Sequence, residues 1–274
     1  MEIRLAKNYG FCFGVKRAIK MAEESPNSTT IGPLIHNNEE INRLKKSFNV
    51  DNINDFSEVK NIQKAIIRTH GITKENLKEL KDKNIEIVDA TCPFVSKPQR
   101  ICEEMSEEGY QIVIFGDINH PEVKGVMSYA KNGAIVALKP DDLKDKKFKD
   151  KVAIIAQTTR KFSEYQDIVN YIMPRCKEVR VFNTICNATF ENQEAVRELS
   201  MECDVIIIVG GKNSSNTKQL YTISKSNCKD SYLIENENEL KKEWFEGKKV
   251  CGISAGASTP DWIIQKVMRK IKEF

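Results

Sequence analysis

Apolar positions along this chain follow a helical period in some stretches and collapse into short aliphatic runs in others. After Cys12, Val15, Ala18, Ile19 and Ala22 recur at helical spacing. After Cys186, Ala188, Ala195, Val196 and Leu199 do the same, which is the signature of a helix with one buried face. The stretch after Cys92 (Pro93, Val95, Ile101, Met105) is compatible with a helix but has a less regular stripe. Each helical stretch leads into an aliphatic run that ends in a glycine and a polar turn: TTIGPLIHN, IVIFGDINHPE and IIIVGGKNSSN. A second run closes each copy: KAIIRTHGI, KVAIIAQTTRK and KKVCGISAGAST, stopping at His70, Thr158 and Ser258. Strands alternating with helices imply βαβ units and parallel sheets.

The copies keep register. His36, His120 and Ser214 each lie four residues past Gly32, Gly116 and Gly210, and those glycines follow the cysteines by 20, 24 and 24 residues. The approaches to the second and third closing runs, DLKDKKFKDKVAII and ELKKEWFEGKKVCGI, are also alike. A threefold internal repeat follows, with units at residues 1–91, 92–186 and 187–274. The first strand, Ile3 to Ala6, precedes its cysteine and is expected to pack with the third unit. The expected fold is α/β: three similar units with parallel sheets, arranged pseudo-threefold around a central cluster cavity. Ligand groups gather beyond the carboxyl ends of parallel strands, where the polar turns fall.

Composition narrows the class. A chain of 274 residues suits two or three units. The longest aliphatic run, Val205 to Val209, is too short to cross a bilayer. The opening MEIRLAKNYG lacks the apolar stretch of a signal peptide, so a cytoplasmic protein without membrane association is expected. A net charge of +4, from 43 basic and 39 acidic residues, is not the concentrated basic footprint of a nucleic-acid binder. The lysine-rich run from Lys139 to Lys151 is expected to be solvated. Eight cysteines without a CxxC pair argue against a zinc ribbon or a thioredoxin motif. Without an export signal, disulfides are not expected.

Cys12, Cys92 and Cys186 share a repeat position. A closed cubane or a structural zinc normally takes four protein ligands. Three thiolates on a cubane leave one iron open as a Lewis acid, which makes the cluster a reaction centre. Cys102, Cys176, Cys203, Cys228 and Cys251 read instead as small hydrophobes. The chain has three histidines, His36, His70 and His120, and all stand at equivalent turns; imidazole can hydrogen-bond a phosphate and adds charge when protonated. The third unit offers Ser214, Ser215 and Asn216 there, donors suited to an anion near a helix N-terminus. Ser258 sits in SAGASTPDW, where Thr259 is expected to cap a helix with Pro260 at its first position. Capping alone explains many serines; register with the histidines sets these apart. Glu122 is a candidate proton donor, against the plainer reading of a surface acid at a helix start. Thr158 is a candidate to orient that carboxyl or a substrate hydroxyl, against a satisfied strand-end threonine.

GFCFGVKRAI, GPLIHN, RTHG, ATCPFV, NHPEV, QTT, TICNAT, KNSSN and SAGASTPD, in that order, span nearly the whole chain. Through them it resembles the LytB family of 4-hydroxy-3-methylbut-2-enyl diphosphate reductases. The resemblance implies a three-lobed α/β enzyme with one [4Fe–4S] cluster on Cys12, Cys92 and Cys186 and an open apical iron. His36, His70, His120, Thr158, Ser214, Ser215, Asn216 and Ser258 would bind the substrate, and Glu122 would deliver protons with Thr158 beside it. The implied reaction is reductive dehydroxylation of (E)-4-hydroxy-3-methylbut-2-enyl diphosphate to isopentenyl and dimethylallyl diphosphate, the last step of the non-mevalonate route. Electrons would come from ferredoxin or flavodoxin, since no flavin or nicotinamide fingerprint is present. A monomer is expected, without the appended nucleic-acid-binding domain of some relatives. A non-redox [4Fe–4S] hydro-lyase would instead turn over without reductant. A cluster-bearing sensor would not bind a diphosphate tightly, and a nucleic-acid module fits the charge balance poorly.

Overall fold

The computed structural model describes residues 1–59 and 62–274. From the N-terminus come β1 (Glu2–Leu5), α1 (Phe13–Glu23), β2 (Ser28–Ile31), α2 (Asn38–Phe48), β3 (Val50–Ile53), β4 (Lys64–Ile67), α3 (Lys74–Asp82) and β5 (Glu86–Asp89). Then follow α4 (Pro93–Glu107), β6 (Gln111–Phe115), α5 (Pro121–Met127), β7 (Ala134–Ala137), β8 (Lys151–Ala156), α6 (Phe162–Ile172) and β9 (Glu178–Phe182). The last stretch holds α7 (Asn187–Glu202), β10 (Val205–Val209), α8 (Ser215–Asn227), β11 (Ser231–Ile234), β12 (Val250–Ala255) and α9 (Asp261–Lys272).

The strands form three four-stranded sheets in the orders β3-β2-β4-β5, β7-β6-β8-β9 and β11-β10-β12-β1. Every pairing is parallel. The order is the same each time, and β1 takes in the last sheet the edge that β5 and β9 take in theirs. The first strand thus spans Glu2–Leu5, one residue earlier than the apolar pattern indicated, and pairs with β12 from Glu2↔Val250 to Leu5↔Ile253. In all three sheets the two central strands end level: Ile31↔Ile67, Phe115↔Ala156 and Val209↔Ala255.

Central strands read as unbroken apolar runs because helices cover both faces. In VIIIV of β10 every residue is buried. Val205, Ile207 and Val209 pack with Ile263, Ile264 and Val267 of α9, whereas Ile206 and Ile208 pack with Val196 and Leu199 of α7 and Leu220 of α8. In β6, Ile112 and Ile114 meet Ile101 and Met105 of α4, while Val113 and Phe115 meet Tyr165 and Ile168 of α6. Each such side chain contributes about 1.5–3 kcal/mol by leaving water. Edge strands such as β5 (EIVD) and β9 (EVRVF) keep polar, partly exposed positions.

By its contacts the chain divides into two compact units. One comprises residues 1–16, 35–47 and 187–274, with the sheet of β1, β10, β11 and β12. The other comprises residues 17–34 and 48–186, with the remaining two sheets. Helix α2 belongs to the first unit, where Trp262 Nε1 donates to Glu40 at 3.0 Å. The lysine-rich run from Lys139 is largely exposed, anchored by buried Leu143. Among the described residues, no helix is long and apolar enough to cross a membrane.

One capping expectation is corrected. Helix α9 begins at Asp261 with Pro260 at the cap, one step later than the sequence indicated. The Thr259 hydroxyl does not cap the helix; it donates to the Val209 carbonyl at 3.0 Å. The hydroxyl instead ties the turn to the end of β10.

Candidate functional site

The carboxyl ends of the strands repeat one set of backbone bonds. The glycine after each first strand donates to the end of its neighbour: Gly32 to Ile53 at 2.7 Å, Gly116 to Ala137 at 2.9 Å and Gly210 to Ile234 at 2.8 Å. A second set holds the cysteines. The amide of Cys92 donates to Thr69 O at 3.0 Å, that of Cys186 to Thr158 O at 3.1 Å, and that of Cys12 to Ala257 O at 3.1 Å. Each acceptor lies two residues past the third strand of a sheet. Each is also a candidate site residue or the immediate neighbour of one: Thr69 precedes His70, Ala257 precedes Ser258, and Thr158 is itself a candidate. Backbone satisfaction is close to obligatory in buried turns, so the cysteines sit at equivalent places for a common reason.

In the unit of residues 17–34 and 48–186, several candidates form a chain of contacts. His70 and His120 meet edge to face, with ring centroids 5.4 Å apart. His120 caps α5, its Nδ1 accepting from the Glu122 amide at 3.2 Å. Glu122 is 1% exposed, which removes the surface reading. One of its carboxyl oxygens accepts the Thr158 amide at 2.7 Å, and the other contacts the Thr158 hydroxyl at 2.7 Å. Thr158 then accepts the Cys186 amide through its carbonyl. Burial pushes the Glu122 carboxyl above its ordinary range, against the two Thr158 hydrogen bonds and the charge of Arg160. A carboxyl held in this way suits a proton donor. Before Cys92, the Arg17 guanidinium donates to Thr91 O at 3.2 Å and Asp89 O at 3.3 Å, fixing the segment that delivers the cysteine.

In the other unit Ser214 caps α8, its hydroxyl oxygen accepting from the Thr217 amide at 3.3 Å. That geometry leaves the hydroxyl hydrogen for an anion. Ser215 opens α8 half-buried. Asn216 is 4% exposed, and among the described residues neither its amide nitrogen nor its oxygen has a hydrogen-bond partner. An unsatisfied buried amide is costly, and a ligand group would satisfy it. The Ser258 hydroxyl donates to His36 O at 3.2 Å, so donating to a ligand requires it to release that carbonyl. Position 211 admits only glycine, because a Cβ there would fall 2.3 Å from the same oxygen. In this copy Asn37, not His36, caps the helix, accepting from the Glu40 amide at 3.0 Å. His36 therefore stands one residue ahead of the place His120 and Ser214 occupy.

The cysteines differ in environment, although Cys176 and Cys203 are half-buried like the three at the repeat position. Cys12, Cys92 and Cys186 are half-buried and free of disulfides. Cys102 and Cys251 are fully buried, and burial pushes each thiol up to about 12. Cys203 is pushed up to about 11 for the same reason. Thiols so hard to ionise make poor metal ligands. The three repeat-position cysteines, reachable and backed by satisfied backbone, fit a thiolate-ligated iron–sulfur group. Sequence reasoning missed Arg17, Arg160 and Arg68. Nothing in their spacing marks them; each matters through what its side chain reaches.

The LytB protein family model matches residues 3–272. A 4-hydroxy-3-methylbut-2-enyl diphosphate reductase from a Nitratiruptor species is 68% identical over 274 residues, which is 100% of this chain and 99% of that protein. The protein of the same name from Campylobacter lari is 65% identical, with the same coverage. Among solved structures, (E)-4-hydroxy-3-methyl-but-2-enyl diphosphate reductase, described as the terminal enzyme of the non-mevalonate pathway, is 45% identical with a TM-score of 0.74, covering 100% of both chains. The E-1-hydroxy-2-methyl-but-2-enyl-4-diphosphate reductase from Plasmodium falciparum is 27% identical with a TM-score of 0.90, covering 98% of this chain and 87% of its own.

Proposed function

The chain belongs to the LytB family, and on that premise we propose that it reduces (E)-4-hydroxy-3-methylbut-2-enyl diphosphate to isopentenyl and dimethylallyl diphosphate. The carbon–oxygen bond breaks, two electrons and two protons enter, and the oxygen leaves as water. Cys12, Cys92 and Cys186 would hold a [4Fe–4S] cluster with one iron open to substrate. When bound, that group supplies the electrons and a Lewis-acidic iron.

The chain's own residues supply the rest. Ser214, Ser215, Asn216, Ser258, His36, His70 and His120 hold the diphosphate, mostly through neutral donors. Glu122 holds the proton, and Thr158 fixes both of its oxygens so that the acid has one orientation. The buried Glu122–Thr158 pair, leading directly to Cys186, is the observation that carries this reading. We also assign residues 1–91, 92–186 and 187–274 as the three repeats, one for each four-stranded sheet apart from the exchanged β1. The enzyme so assigned is a cytoplasmic monomer drawing electrons from ferredoxin or flavodoxin.

The test is anaerobic purification followed by iron and sulfide analysis and turnover with a chemical reductant. Formation of both isoprenyl diphosphates by iron-loaded protein supports the assignment. Turnover without reductant would point to a hydro-lyase, and activity without iron would remove the cluster from the reaction.

A further inference from the structure

Arg68 directly follows β4 and stands two residues before His70. Its side chain lies across Gly32: a Cβ at that position would fall 2.3 Å from Nη1 and 2.7 Å from Cζ. Gly32 also has φ of 73°, a conformation that glycine alone adopts freely. The chain therefore leaves out a side chain after β2 where the arginine after β4 lies.

Among the described residues no acid pairs with the guanidinium. Its Nε is buried without a partner, and among the described residues no hydrogen bond or ion pair reaches the group. Other arginines here are paired: Arg4 with Glu2, Arg43 with Glu40, Arg180 with Glu108 and Arg197 with Glu194. Burial alone acts on Arg68, lowering its pKa with no acid to oppose it. A guanidinium remains protonated even so. Holding a half-buried guanidinium unpaired, with its Nε out of water, is unfavourable unless an anion arrives, and its place at the carboxyl end of a parallel sheet is where anionic ligands bind. The diphosphate donors assigned above are hydroxyls, an amide and imidazoles, none of which carries a permanent charge.

We propose that Arg68 is a further substrate-binding residue, supplying the fixed positive charge for the diphosphate end of the substrate beside His70. This rests on the reading of the protein as a diphosphate-binding reductase. The bidentate guanidinium suits two oxygens of one phosphate.

The experiment titrates isopentenyl diphosphate into anaerobically purified holoprotein by calorimetry, comparing wild type with Arg68→Met and Arg68→Lys at two salt concentrations. Arg68→Met is expected to raise the dissociation constant roughly tenfold or more and to weaken its salt dependence, with Arg68→Lys recovering part of the loss. The ligand-free melting temperature of Arg68→Met should equal or exceed that of wild type, because a half-buried charge without a partner has gone. Unchanged affinity in Arg68→Met overturns the assignment, as does a lower melting temperature with affinity preserved. Failure of Arg68→Met to fold also counts against it, and Arg68→Lys then decides whether affinity follows the guanidinium. If the wild-type holoprotein itself does not bind isopentenyl diphosphate, the diphosphate reading fails rather than the role of Arg68 within it.

Discussion

Replacing Glu122 by glutamine removes one ionisable proton and changes almost no volume. The glutamine carbonyl can still accept the Thr158 amide, and its NH2 can donate to the Thr158 hydroxyl, so both 2.7 Å contacts have a replacement. The fold should survive. What changes is the response to pH. Burial raises the Glu122 pKa above 4.5 in the folded protein, so the unfolded chain gives up this proton first. Wild-type stability from this group is complete below pH 4.5 and declines as pH rises to the folded value. Each unit of displacement amounts to about 1.4 kcal/mol. Glutamine has no proton to lose. The stability of Glu122→Gln relative to wild type should therefore increase with pH across that window and level off above it. Paired melting curves of the two holoproteins from acid to neutral pH measure this. In turnover, loss of a positioned general acid lowers kcat by about 10²–10⁴-fold and leaves KM nearly unchanged. A pH-independent stability difference together with full activity would refute the reasoning: Glu122 would then be ionised in the fold and the proton would come from elsewhere.

Cys92→Ser should lose most bound iron and all activity, checked by iron analysis on anaerobic protein; retention of both removes Cys92 from the cluster. Cys251→Ala, deep in β12, should keep its iron and activity and cost about 1 kcal/mol in stability. Asn216→Ala removes a buried amide that has no partner among the described residues; stability should change little while KM for the diphosphate rises roughly tenfold. Arg17→Met frees the carbonyls of Asp89 and Thr91 ahead of Cys92, and iron should be lost faster to a chelator at unchanged initial loading.

The parallel sheets and the repeat could be read from the chain because each depends on local pattern. VIIIV, short, β-branched and followed by two glycines, reads as a strand covered on both faces, and glycine followed by a polar residue four places on recurs in register. The place of β1 in the last sheet was legible for the same reason, since it precedes its cysteine as β5 and β9 precede theirs. Tertiary partners left no such trace. Nothing in the sequence distinguishes Glu122 on a surface from Glu122 held at both oxygens by a threonine 36 residues away. The Thr259 hydroxyl reads as a cap from the local sequence, whereas its partner in the fold is the Val209 carbonyl 50 residues away. Arg68 and Arg17 look like ordinary basic residues until their side chains are followed to Gly32 and to the carbonyls before Cys92.

The shared backbone bond explains why three of the eight cysteines stand apart. A thiolate ligand needs a position that is reachable, yet held firmly enough that binding does not first have to order the chain. Hanging the cysteine amide from a carbonyl two residues past a central strand meets both demands, because the hydrogen bond ties the cysteine to the end of a paired strand at the ligand-facing edge of a parallel sheet. The same carbonyl belongs to Thr158, or to the neighbour of His70 or Ser258. A shift in any one sheet would therefore move a proposed metal ligand and a proposed substrate-binding residue together, keeping their relation intact. Cysteines inside helices or strands, such as Cys102 and Cys251, cannot share that coupling; buried and un-ionised, they serve packing alone.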